Sequence, residues 1–229
     1  MGWCPRLGKE GNMKTLIGSV LVIGCVVLVR PASGQENKEH DCARGKRMQN
    51  VSLTWRPTEE IALPDVIAIP PGSAGLATVR IEIKALTDTR QNPQRIGENR
   101  EDVSNGGCVY PVIAHNDIVV WTTDRFRYLM QRLGLGVVEG EGDVVISGEL
   151  RQFFVTETHT YAGEIGLKID VTSKTGKALW SGLVTGSNGH WGKSYKLENY
   201  EETLSDALID AVKNLTADQG FFRAISVKD

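Results

Sequence analysis

The chain has 229 residues, 41% of them apolar and 24% charged, enough for one domain of moderate size or two small ones and too ordinary in composition for wholesale disorder. Its 26 basic and 28 acidic residues include four bases (Arg6, Lys9, Lys14, Arg30) and one acid (Glu10) in the first 34, so the remainder carries 22 bases, 27 acids and a net charge of −5. That balance argues against non-specific nucleic-acid binding and against attraction to an anionic lipid surface.

Residues 16–29, LIGSVLVIGCVVLV, are apolar or small throughout, with Lys14 before them and Arg30 after. Fourteen residues are too few to cross a bilayer, which takes about 20, but they suit the apolar core of a signal peptide. Met13-Lys14 is the natural start of such a peptide, which marks Met1–Asn12 as an extension. Two processing signals overlap. Val22-Ile23-Gly24-Cys25 has the form of a lipobox, whose cysteine is acylated and becomes the N-terminus. Ala32-Ser33-Gly34 before Gln35 has the form of an ordinary cleavage site. Only Leu16–Ile23 precedes Gly24-Cys25 as apolar core, and Val26–Val29 continues that core beyond the cysteine. Cleavage between Gly34 and Gln35 accounts for the whole run, and acylation of Cys25, which would tether the protein to a membrane, is the alternative. The expected location is the periplasm or the exterior, or the outer membrane if Cys25 is acylated. Export leaves Cys42 and Cys108, which in an oxidising compartment either form a disulfide or remain as two thiols.

Residues 35–50 are polar and aperiodic and read as a linker. Residues 51–75 hold short apolar pieces between four prolines and read as an extended arm or edge strand. A domain over 76–229 follows. In ATVRIEIKAL, Val79, Ile81, Ile83 and Ala85 alternate with Arg80, Glu82 and Lys84, as in a half-buried strand. TDTRQNPQRIGENREDVSNGG, from Thr87 to Gly107, reads as one long loop, a kind often functional. Val119, Phe126, Leu129, Met130 and Leu133 recur at helical spacing over Asp117–Leu133, with Gly134 as the stop and LGVV as a short strand after it. DVVISGELRQFFV, EIGLKIDVTS and ALWSGLVTGS read as three strands, the last two joined by a Lys174-Thr175-Gly176-Lys177 turn. Asn199 with Glu202 resembles a capping box for a last helix whose stripe is Tyr200, Leu204, Ala207, Leu208, Ala211 and Leu215. The two phenylalanines of GFFRAIS pin the C-terminus. The order strand, helix, three strands, helix predicts an α+β fold: a mainly antiparallel sheet with two helices packed on one face.

Chemistry is sparse. His40, His115, His159 and His190 fit no H-E-x-x-H or i, i+4 pattern, and no Cys/His cluster has zinc spacing. LGLGVVEGEGD follows a helix, so it reads as a cap and turn rather than a phosphate cradle. No catalytic, cofactor-binding or metal-binding residue is assigned, and the expectation is a protein that is not an enzyme and takes no cofactor. Two segments stand out. Asp88, Arg90 and Arg100 leave a strand within one loop, where they either clamp an anion or staple the loop through Asp88–Arg90 and Glu98–Arg100 pairs. Trp191 and Tyr195, in GHWGKSY, either form a contact surface or cover the core.

TDTR, RIGENR, RYLMQRLGLGV, DVVISGEL and ENYEETLSDALIDAVKNLTAD together resemble the YajG-like family of bacterial lipoproteins over roughly Val51–Asp218. More distantly, the order of elements resembles auxiliary lipoproteins of ABC lipid-transport systems. The resemblance implies an exported α+β domain, commonly anchored by an acylated cysteine, with no catalytic residues. The expected partners are an envelope protein or, in the alternative, a lipid or small anion held between sheet and helices.

Overall fold

The computed structural model describes residues 48–58 and 78–226. They form a nine-stranded mixed sheet with three α-helices against it, so the fold is α+β. In chain order the elements are β1 (Met48–Val51), β2 (Ile81–Ile83), β3 (Thr87–Asp88), β4 (Arg95–Asn99), β5 (Tyr110–Ala114), α1 (Ile118–Arg132), β6 (Val137–Val138), β7 (Val144–Glu157), β8 (Tyr161–Ser173), β9 (Ala178–His190), α2 (Leu197–Ala217) and α3 (Gln219–Ile225).

The long antiparallel meander β7–β8–β9 is the frame. Its strands appear where the β-rich segments predict them, and Gly176 takes the left-handed conformation that the turn between β8 and β9 requires (φ 85°). Alternation sets the faces. In β8, Tyr161, Ile165, Leu167, Ile169 and Val171 are buried, while Lys168, Asp170 and Thr172 are half-exposed on the other side. On its second side β7 receives β2, β3 and β4 in succession, all parallel. β5 lies antiparallel to β4, and β1 parallel to β5.

The core joins Val144, Ile146, Phe153 and Val155 of β7 to Phe126, Leu129 and Met130 of α1 and to Tyr200, Leu204, Leu208 and Val212 of α2. Helix α2 lies directly on the meander: a Cβ at Gly186 of β9 would collide with the backbone of Ala207 and Ala211. Asp117 caps α1 by accepting from the amides of Val119 and Val120, and Gly134, the predicted stop, sits just past its end at φ 78°.

Five expectations are corrected. The stretch from Thr87 to Gly107 is not one loop. It contains β3, β4 and a 3-10 turn at Val103–Asn105. β4 has only Ile96 as an apolar anchor; pairing with β5 and β7 makes it a strand, and Gly97 allows its close approach to the Val155 carbonyl, where a side chain would clash. β5 was not expected, because Pro111 interrupts its apolar pattern; Pro111 sits opposite Glu98. The stretch taken as a linker ends in β1. Helix α2 starts at Leu197 with Lys196 as its cap, so Asn199 lies within the first turn, and its amide donates back to the Lys193 carbonyl at 2.9 Å. The GFFRAIS tail forms a third helix, α3, with Phe221 and Phe222 buried. Beyond β1, residues 52–58 run extended along α2: Thr54 bonds Glu201, the Arg56 amide bonds Ser205 and Thr58 bonds Asp206. Cys25, Gly34, Gln35, Cys42 and most of the proline-containing arm lie outside the described residues.

Candidate functional site

The first candidate region surrounds the β3–β4 connection. Arg90 donates to both carboxylate oxygens of Asp88 at 3.0 and 2.7 Å, to the Pro93 carbonyl at 2.6 Å and to the Phe153 carbonyl at 3.4 Å. Its side chain is 7% exposed. Burial raises the Asp88 carboxyl, and the hydrogen bonds and charge of Arg90 more than offset this, leaving it below its ordinary value. Arg90 therefore staples the connection to β7. Arg100 pairs with Glu98 on the far side of β4, and Glu98 also pairs with Arg95. Arg90 and Arg100 are not brought together. The arginines that join Arg90 are Arg95 and Arg151, which line one cavity of about 340 Å³ with Thr89, Gln91 and Phe154.

The second region is the end of the meander. Glu157, fully buried, ends β7. Its Oε2 accepts from the Tyr200 hydroxyl at 2.7 Å, and its Oε1 accepts from the Tyr195 amide at 2.7 Å and the Tyr161 hydroxyl at 2.9 Å. Burial, and then Glu157, hold the Tyr161 phenol up at about 12 against a lowering contribution from Asn199. Burial, then Asp102 and Tyr110, bring Tyr195 to about 12, and burial with Glu157 carries Tyr200 far above its ordinary value. The Tyr161 and Tyr200 phenols keep their protons at neutral pH and act as donors, and Tyr195 joins through its backbone amide, so the cluster ties β7, β8 and the 190–196 connection to α2. The His190 ring stacks on Tyr161 at 5.8 Å, with Nε2 3.8 Å from Glu202. Tyr195 belongs to this network and packs on Tyr110. Trp191 does not cover the core; it is 75% exposed.

Trp191 directly follows β9, whose outer edge has no strand partner among the described residues. The thirteen residues of β9, ALWSGLVTGSNGH, include no Asp, Glu, Lys, Arg or Pro. The Ser187 amide donates to Asp210 at 2.9 Å, and the Thr185 carbonyl accepts from Asn214 at 2.8 Å. The odd-numbered residues thus turn their backbone groups away from β8, and by strand alternation Ser181 and Leu183 do the same. Leu183 is 65% exposed. Between this edge and α2 lies a groove of about 290 Å³ lined by Trp180, Leu183, Thr185, Asn214 and Asp218.

Sequence reasoning passed over Glu157, Arg95, Arg151 and Leu183. Glu157 was detectable as an acid in phase with Phe153 and Val155 on the buried face of a strand. Arg95 and Arg151 carry no local signal, because β7 and the β3–β4 connection meet only in space. Among the described residues no group of acids, histidines and cysteines is arranged to hold a metal ion, and no helix is long and apolar enough to cross a membrane. Cys108 is disulfide-bonded to a residue outside those described.

No protein-family model matches the chain, and no curated protein matches it. Solved structures with some likeness include a Xanthomonas campestris protein of the family DUF330, 10% identical, covering 74% of this chain and 95% of its own with a TM-score of 0.49. The PelC dodecamer of Paraburkholderia phytofirmans is 13% identical, covers 57% and 86%, and scores 0.34. A Caulobacter crescentus protein described as a candidate lipoprotein is 9% identical, covers 48% and 84%, and scores 0.37. These are distant likenesses.

Proposed function

We propose that the chain is an exported cell-envelope protein that works as a binding and assembly module rather than as an enzyme, within or near the YajG-like lipoproteins that its motifs resemble. Export is supported by the apolar run before Pro31 and by the disulfide at Cys108, which suits an oxidising compartment. The observation that carries the binding role is the free edge of β9. Long edge strands in soluble proteins are ordinarily protected by charge, proline or a bulge; β9 has one bulge, at Leu179 near its start, and no carboxylate, lysine, arginine or proline. Helix α2 caps only Thr185 and Ser187 of this one, leaving Ser181 and Leu183 with Trp191 beyond them. An extended segment of a partner envelope protein fits such an edge, its main chain bonding β9 and its side chains meeting Leu183 and Trp191.

A photoreactive residue at Ser181 in the full chain, expressed in its own envelope, should give one discrete adduct. The same residue at Arg223 on α3 should give none. Leu183→Lys should reduce the adduct at least tenfold while leaving the free energy of urea unfolding within about 0.5 kcal/mol, since the site is exposed. Absence of an adduct at Ser181, or its persistence in Leu183→Lys, would remove this reading.

A further inference from the structure

The ladder along the second side of β7 is interrupted. Pairing with β3 ends at Leu150, and pairing with β4 begins at Val155. The register of β7 against β8 shifts between Leu150 and Gln152, and this bulge leaves Arg151 and Gln152 both exposed where alternation would bury one. Residues 89–94 arch across the gap, and the cavity of about 340 Å³ opens beneath them, lined by Thr89, Arg90, Arg95, Arg151, Gln152 and Phe154 among others. No acidic side chain lines it.

Three guanidinium groups reach this space, each held by a carboxylate outside the lining. Asp88 and two carbonyls engage Arg90, so Arg90 forms a fixed floor, over the Phe153 ring at 5.5 Å. Glu98 holds Arg95 by one terminal nitrogen, and Arg95 lies over the Phe154 ring at 5.7 Å. The Arg95 Nε is buried and has no hydrogen-bond partner. Glu149 takes Nε and one terminal nitrogen of Arg151 at 3.0 and 2.8 Å. The three lining arginines face three carboxylates, but Glu98 is divided between Arg95 and Arg100 and Glu149 between Arg151 and Lys168, so Arg95 and Arg151 are only partly neutralised. With the Arg95 Nε enclosed, the donors an anion meets are the terminal nitrogens of the half-exposed Arg95 and Arg151 side chains that Glu98 and Glu149 do not engage.

We propose that this gap in the sheet is a binding site for a phosphate-bearing group. Arg95 and Arg151 contact the phosphate oxygens, and Arg90 is the positioning residue that holds the floor. The cavity is larger than inorganic phosphate needs, so it accepts a phosphate ester with a small attached group. The shared chemistry admits two sources, a soluble phosphate ester or a lipid headgroup. The site lies on the side of β7 opposite β8 and β9, so its failure would leave the strand-edge reading untouched.

The test is titration of the full folded chain with inorganic phosphate, and separately with phosphatidylglycerol and phosphatidylcholine vesicles. Saturable phosphate binding should shift the Arg95 Nε–H resonance and the amides of Gln152 and Phe154, and leave those of Leu183 and Thr185 unmoved. Arg95→Gln with Arg151→Gln should weaken binding at least tenfold, and Arg223→Gln should not change it. Glu98 keeps Arg100 in these variants, and the wild-type shifts test the site even if a variant misfolds. Phosphate binding without vesicle binding assigns a soluble ester. Arginine-dependent binding to phosphatidylglycerol but not phosphatidylcholine assigns a headgroup. Binding to neither, or shifts scattered away from the cavity, would overturn the proposal.

Discussion

Glu157 sits on the strand face that also carries Phe153 and Val155, and it stays there because Tyr161, Tyr195 and Tyr200 bring three donors to it. Tyr200→Phe removes one of them and should lower stability by about 2 kcal/mol in urea unfolding. Glu157→Ala removes the shared acceptor, leaving the Tyr161 hydroxyl the Lys193 carbonyl at 2.7 Å, and should cost about 3 kcal/mol. A smaller loss for Glu157→Ala than for Tyr200→Phe would contradict the network. The phenols also set an alkaline limit. In the folded chain Tyr161 and Tyr195 titrate at about 12, against an ordinary value of 10.0. Above pH 10 the unfolded chain therefore holds fewer protons than the folded one, and stability falls as pH rises. It is fully present below pH 10 and lost progressively up to about pH 12. Urea midpoints at pH 9 and pH 11 measure this; equal midpoints would show that these phenols are not held in the fold. Of these residues the sequence reading found only Tyr195 and, as part of a helical stripe, Tyr200. The partner that gives both their meaning lies some forty positions away.

At the scale of elements, α2 depends on glycine in the strand beneath it. Its backbone rests against Gly186, so Gly186→Ala forces helix and sheet apart and should cost about 3 kcal/mol, at the upper end of overpacking. Gly176→Ala acts differently, straining the φ 85° turn with open space around it, and should cost about 1 kcal/mol. Thermal unfolding of the two variants separates the mechanisms, and equal losses would argue against close packing at Gly186. The elements readable in advance were those with their own period: α1 with its Gly134 stop, the β7–β9 meander and the stripe of α2. β4 and β5 were not readable. RIGEN and YPVIA have no clean alternation, and they are strands because β7 and each other supply their hydrogen bonds. The start of α2 was misplaced for a related reason, since Asn199 spends its amide on the Lys193 carbonyl rather than on a cap.

For the whole molecule, the disulfide joins the question of location to that of stability. Cys42 is the partner of Cys108 expected after export. Mass spectrometry of the mature protein without reductant should show one peptide pair joining Cys42 and Cys108, and two alkylatable thiols would end that assignment. Reduction should lower stability by about 2–4 kcal/mol. The same spectrum reads the N-terminus: Gln35 if the chain is released, acylated Cys25 if it is tethered.

The sequence by itself determined the α+β class and the three long strands between two helices, because hydrophobic periodicity is a local property of a chain. Only the tertiary structure decided that Arg90 is a staple, that Arg95 and Arg151 share a cavity at a break in the ladder, and that β9 is an edge of the sheet among the described residues. Each of these depends on which segments lie side by side, and that is fixed by non-local hydrogen bonding and packing rather than by any single stretch of residues.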